Sequence, residues 1–144
     1  VKSIISIVLI LLAVISCNST KNIGSNSNDI ATTNTSDTIK IANDSLEYEI
    51  LIIDPGFNSW LLRNAFPRGY HSINYLETKN RMYVTEWNSR VLNRYQFNPD
   101  LYMMSIDYNP NIRYGYEVNY LLYNYFIYFQ NSYNQKLRGF VPNR

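Results

Sequence analysis

The chain has 144 residues, with 13 Lys+Arg against 11 Asp+Glu, a net charge of +2, 46% hydrophobic and 15% aromatic residues. That length fits one domain with a tail, and the charge balance excludes a strongly basic nucleic-acid binder and an acidic solvating tail. A single Cys and a single His exclude a disulfide framework and a zinc site built from Cys and His alone.

Lys2 is followed by an apolar run from Ile4 to Ile15. The run is too short to span a ~30 Å hydrocarbon core as a helix and fits the h-region of a signal peptide over residues 1–16. It ends in Val14-Ile15-Ser16-Cys17, which resembles the lipobox of bacterial lipoproteins. The small residue before Cys17 admits the signal peptidase. The thiol takes a diacylglycerol, and the new amino terminus takes a further acyl chain such as palmitate. Two or more chains, at ~0.8 kcal/mol per buried CH₂, anchor a protein stably in a membrane. Asn18 is not the Asp that retains lipoproteins in the inner membrane, and the first acid after Cys17 is Asp29. The expectation is an envelope protein on the outer membrane, facing the periplasm.

Residues 17–45, the lipidated Cys and an Asn/Ser/Thr-rich stretch, read as a flexible tether. The composition cannot bury enough surface to offset its ordering entropy, and its reach is roughly 30 Å by the ~5–6 Å × √n scaling. Asp37-Thr38-Ile39 and Asp44-Ser45-Leu46 resemble the O-glycosylation motif of exported Bacteroidota proteins.

Residues 46–144 read as a single α+β domain of about two strands packed with three helices. Glu47 to Ile53 alternates and then runs continuously apolar, predicting a strand that starts half-exposed and ends buried. Asp54-Pro55-Gly56 reads as a turn, followed by a short helix from Phe57 to Ala65. The next helix spans about Ser72 to Leu92, with Asn74 and Glu77 as its capping pair and Leu76, Tyr83, Val84, Trp87 and Val91 on its buried face. Glu77 with Arg81, and Glu86 with Arg90, are i,i+4 pairs that support it. Leu101 to Tyr108 reads as the second strand. Tyr116 to Tyr133 reads as a last helix, apolar nearly all round, with Glu117 its only charge. Its Asn and Tyr residues suit burial within protein better than a membrane span.

Catalytic parts are sparse. Glu77 and Glu86 lie nine residues apart on one helix, point to opposite sides, and each has an Arg four residues on. Asp54 before Pro-Gly is a turn former. His71, the only His, sits at a helix start where it helps the cap or faces solvent. No nucleophile elbow or phosphate-cradling Gly loop is present, so no cofactor is implied. Binding is better supported. Arg63, Arg68, Arg81, Arg90 and Arg94 interleave with Trp60, Tyr70, Tyr75, Trp87 and Tyr95, and aromatics beside Arg grip proteins or stack on sugars. Arg68, Tyr70, Glu86, Trp87 and Arg90 are the candidate binding surface.

Several blocks carry a family resemblance: Ile53-Asp54-Pro55-Gly56-Phe57, Pro67-Arg68-Gly69-Tyr70, Glu86-Trp87-Asn88, and Gly115-Tyr116-Glu117-Val118-Asn119-Tyr120. Over about residues 46 to 137 the chain resembles a small family of Bacteroidota lipoproteins classed as a domain of unknown function. The resemblance implies an envelope location and carries no catalytic assignment. The leading expectation is a lipid-anchored module, held to the membrane through Cys17, that binds an envelope protein and has no activity of its own. The alternative is glycan or small-ligand binding through surface Tyr, Trp and Arg. A third reading is an enzyme using Asp54 or Glu86 with Arg68.

Overall fold

A computed structural model describes residues 38–43 and 48–144. The signal peptide, Cys17 and most of the tether lie outside the described residues. So does the triplet at 44–46, and in part the one at 37–39.

Strand β1 (Thr38–Asn43) pairs antiparallel with β2 (Tyr48–Ile53), placing Ile41 opposite Ile50 and Asn43 opposite Tyr48. Residues 38–43, read from sequence as tether, are thus the domain's first element. Ile41 and Ile52 point into the core, while Leu51 and Ile53 stay 54% and 74% exposed. The apolar run in β2 therefore alternates to its end rather than becoming buried, because only one face of a two-stranded ribbon is covered.

The second strand expected at Leu101–Tyr108 does not form. Side chains of the neighbouring helix occupy its backbone groups instead. Trp87 Nε1 donates to the Met104 carbonyl at 2.9 Å and Asn88 Nδ2 to the Ile106 carbonyl at 2.9 Å. The Ile106 N–H donates to Asn88 Oδ1 at 2.8 Å. Backbone groups satisfied in this way do not need a strand partner.

Helix α1 (Pro55–Asn64) starts two residues earlier than the sequence suggests. Asp54 is its N-cap and accepts from the Gly56 N–H at 3.1 Å, with Pro55 pre-set for the first turn. The same carboxylate accepts the hydroxyls of Tyr128 at 2.7 Å and Tyr133 at 2.8 Å, tying the start of α1 to the end of the last helix. A Cβ on Gly56 would stand 2.3 Å from the Tyr128 hydroxyl oxygen. Gly56→Ala is expected to cost about 1–3 kcal/mol, the range for overpacking. Adding Tyr128→Phe removes the clashing oxygen, so urea denaturation should find the double variant less destabilised than the two single changes summed.

Helix α2 (Ile73–Leu92) is capped by Ser72, whose hydroxyl accepts from the Tyr75 N–H at 3.3 Å, rather than by Asn74. The expected inner face is buried as read. Glu77 pairs across the fold with Arg113 at 3.9 Å, not with Arg81, whereas Glu86 does pair with Arg90 at 2.8 Å. Helix α3 (Tyr116–Ser132) follows Gly115, whose φ of 86° few other residues adopt. It packs against α2, α1 and β1, which explains an apolar surface nearly all round. Fully buried Asn80 bridges α2 to α3 by donating to the Asn119 carbonyl at 2.9 Å, and Tyr108 donates to Asn119 Oδ1 at 2.7 Å. The α+β class, with two strands and three helices, is as read from sequence. Among the described residues no helix is long and apolar enough to cross a membrane.

Candidate functional site

The five residues expected to form one binding surface separate into two places. Glu86, Trp87 and Arg90 lie on the second half of α2, and Trp87 and Arg90 are only 6% and 8% exposed. The Arg90 guanidinium donates to Glu86, to the Tyr102 hydroxyl at 2.8 Å and to the Lys136 carbonyl at 2.6 Å. This is a brace between α2 and two loop segments, with its partners already inside the protein. The i,i+4 pairing that reads as a solvated surface in the sequence is covered here by residues 97–102 and 135–137.

Arg68 and Tyr70 lie in the loop between α1 and α2, at an aromatic patch. Tyr70 packs on Phe66, with ring centroids 4.1 Å apart, and meets His71 edge-on at 4.8 Å. His71 stacks on Tyr75 of α2 at 4.3 Å, nearly parallel at 11°, and sits edge-on to Tyr123 of α3 at 5.3 Å. Tyr70 is 60% exposed, and Tyr75 and Phe66 are each 37% exposed. One turn, two helices and the C-terminal segment thus hold a group of rings whose outer faces meet solvent. His71 belongs to this group and does not cap α2, since Ser72 does.

Cations border the rings. Arg68 Nε donates to Glu117 Oε2 at 2.7 Å and its Nη2 to the other carboxylate oxygen. Its Cζ stands 4.6 Å over the Tyr120 ring. The hydrogen bond to Glu117 raises the Arg68 pKa. Lys79 Nζ lies 5.7 Å over the Tyr75 ring, and Arg144 Cζ 3.7 Å over Phe66. The frame beneath is fixed by Tyr116, which accepts from the Gly69 N–H at 2.7 Å and donates to the His71 carbonyl at 3.2 Å. Tyr120 also donates to the Phe66 carbonyl at 2.8 Å.

Burial, and next the Arg144 charge, hold the His71 imidazole below the usual histidine pKa of 6.5. Burial, and next the Tyr75 hydroxyl, push the Tyr123 hydroxyl up. Burial also raises Tyr120, against the opposing charge of Arg68. For His71 the unfolded chain takes a proton that the folded chain resists. Its contribution to stability is therefore present above the unfolded value of 6.5 and lost as pH falls through the folded one. The thermal midpoint should drop between about pH 8 and about pH 5.5, and drop less in His71→Gln.

The acids of the enzyme reading are occupied. Asp54 accepts three donors, Glu86 holds Arg90, and Arg68 is taken by Glu117. A family model described as "Family of unknown function (DUF6146)" matches residues 5–143. The chain belongs to this family. No curated protein and no solved structure matches it. Arg68, Tyr70 and Tyr75 were visible in the Arg–aromatic interleaving. Phe66, His71 and Arg144 were not, because their meeting depends on how the loop and C-terminal segment fold over α3.

Proposed function

We propose that this protein is a lipid-anchored envelope module, held through Cys17 on the periplasmic face of a bacterial outer membrane, that binds a saccharide on the patch around His71. The lipobox-like Val14-Ile15-Ser16-Cys17 and the preceding apolar run support the anchor. The carrying observation for the site is the set of partly exposed rings, Phe66, Tyr70 and Tyr75, held by a hydrogen-bonded frame and bordered by Arg and Lys. Rigid rings with one solvent face offer a flat apolar plane to a sugar at little conformational cost. Trp87 and Arg90, expected on the surface for either kind of partner, are buried and do not add to it.

Retention on the immobilised polysaccharide fraction of the cell's own envelope tests the reading. Tyr70→Ala combined with Tyr75→Ala should weaken it at least tenfold, or about 1.4 kcal/mol. Tyr95→Ala, a fully exposed ring outside the patch, should leave it unchanged. Equal retention of all three would refute the assignment.

A further inference from the structure

Resting on that saccharide-binding reading, we infer that the ligand is acidic: a carboxylate oxygen sits between Arg144 and His71 while its sugar ring lies on Tyr70 and Tyr75. Two buried polar atoms carry the argument. Arg144 Nη1 and His71 Nε2 are both shielded from solvent and have no hydrogen-bond partner. Both groups border Phe66, Arg144 with its Cζ 3.7 Å from the ring centre and His71 with its ring 6.0 Å away. A buried donor without an acceptor is costly; an anionic oxygen supplies the one that Arg144 Nη1 lacks, and His71 in the tautomer with its proton on Nε2 donates to the same oxygen. Guanidinium is matched to carboxylate in shape as well as charge.

The surrounding charges agree. Among the described residues Lys79 and Arg144 form no ion pair. Glu117, the carboxylate at the edge of the patch, is paired by two bonds from Arg68. A neutral sugar offers Arg144 only hydroxyl acceptors, without the charge-assisted pairing that a carboxylate makes with a guanidinium. The Arg144 guanidinium stacks on Phe66, and its Nη1 has no hydrogen bond to give up when an anion arrives.

His71 is the only His in the chain, so its imidazole resonances report on this point alone. The full chain is titrated with trigalacturonate and with its methyl ester, which has the same rings and no charge. Trigalacturonate should shift the His71 signals saturably, with the ester binding at least tenfold more weakly. Arg144→Gln should erase that difference while Tyr70 and Tyr75 ring signals still respond. Equal binding of acid and ester overturns the inference and leaves saccharide recognition standing. An unmoved His71 signal, or one that still moves in Arg144→Gln, also overturns it. Saccharide binding itself stands or falls on retention by the envelope polysaccharide, which does not depend on the Arg144 result.

Discussion

Arg90→Leu is expected to destabilise the protein by about 3–5 kcal/mol, the range for removing one partner of a buried ion pair. The side chain is 8% exposed and each of its three nitrogens is engaged inside the fold: with Glu86 at 2.8 Å, the Tyr102 hydroxyl at 2.8 Å and the Lys136 carbonyl at 2.6 Å. Its plane also stands 4.6 Å from the centre of Phe97. Leu fills some of that volume but leaves the Glu86 carboxylate and the Lys136 carbonyl without their donor. Arg90→Lys should fall between wild type and Leu, because an ammonium is a point charge that cannot span all three partners. Urea denaturation followed by circular dichroism measures both. A loss below about 1 kcal/mol, the range for exposed pairs, would mean that Arg90 is solvated after all.

Trp87→Ala should cost a similar amount, about 3–5 kcal/mol, for the loss of a buried aromatic with partial collapse around it. The indole packs against Phe129 at 4.8 Å and Tyr102 at 5.0 Å. Its Nε1 donates to the Met104 carbonyl at 2.9 Å, which holds the loop after α2 onto the helix. Trp87→Phe keeps most of the ring contact and loses that bond, so it should cost less than Ala. Amide exchange in residues 103–106 should speed up in both variants. Unchanged exchange there would show that the bond does not hold the loop. Because both Trp87 and Arg90 serve the fold, any loss of binding in these variants should follow their loss of folding and vanish where they remain folded.

The helices were legible because a buried helical face repeats at a period that a sequence shows directly. Leu76, Tyr83, Val84, Trp87 and Val91 are buried as that period requires. The last helix was legible for the opposite reason: an apolar surface all round implies neighbours on every side, and α1, α2 and β1 are there. The strands were harder. Thr38–Asn43 sits at the end of a polar stretch and gains its strand character from pairing with β2, which is a tertiary effect on a short segment. Leu101–Tyr108 has the composition of a strand, but Trp87 and Asn88 take the backbone groups that a neighbouring strand would need.

The site was half legible. The nearness of Arg68 to Tyr70 is local and survives folding. The grouping of Glu86, Trp87 and Arg90 is also local, but whether such a group faces solvent depends on what folds over it. Tyr102 and residues 136–137 do so from well outside the helix. His71 shows the reverse case. A lone His at a helix start carries no signal in sequence, and its role comes from Phe66, Tyr75, Tyr123 and Arg144 meeting around it.

We propose the patch around His71 as the surface this protein presents to a saccharide of the envelope. The most direct measurement places a photoreactive side chain at position 70 in one strain and at position 95 in another, irradiates living cells, and identifies the adducts by mass spectrometry. Both positions are exposed, and only Tyr70 belongs to the patch. The predicted result is a saccharide adduct at position 70 and none at 95. Adducts confined to position 95, or only protein captured at position 70, would contradict it.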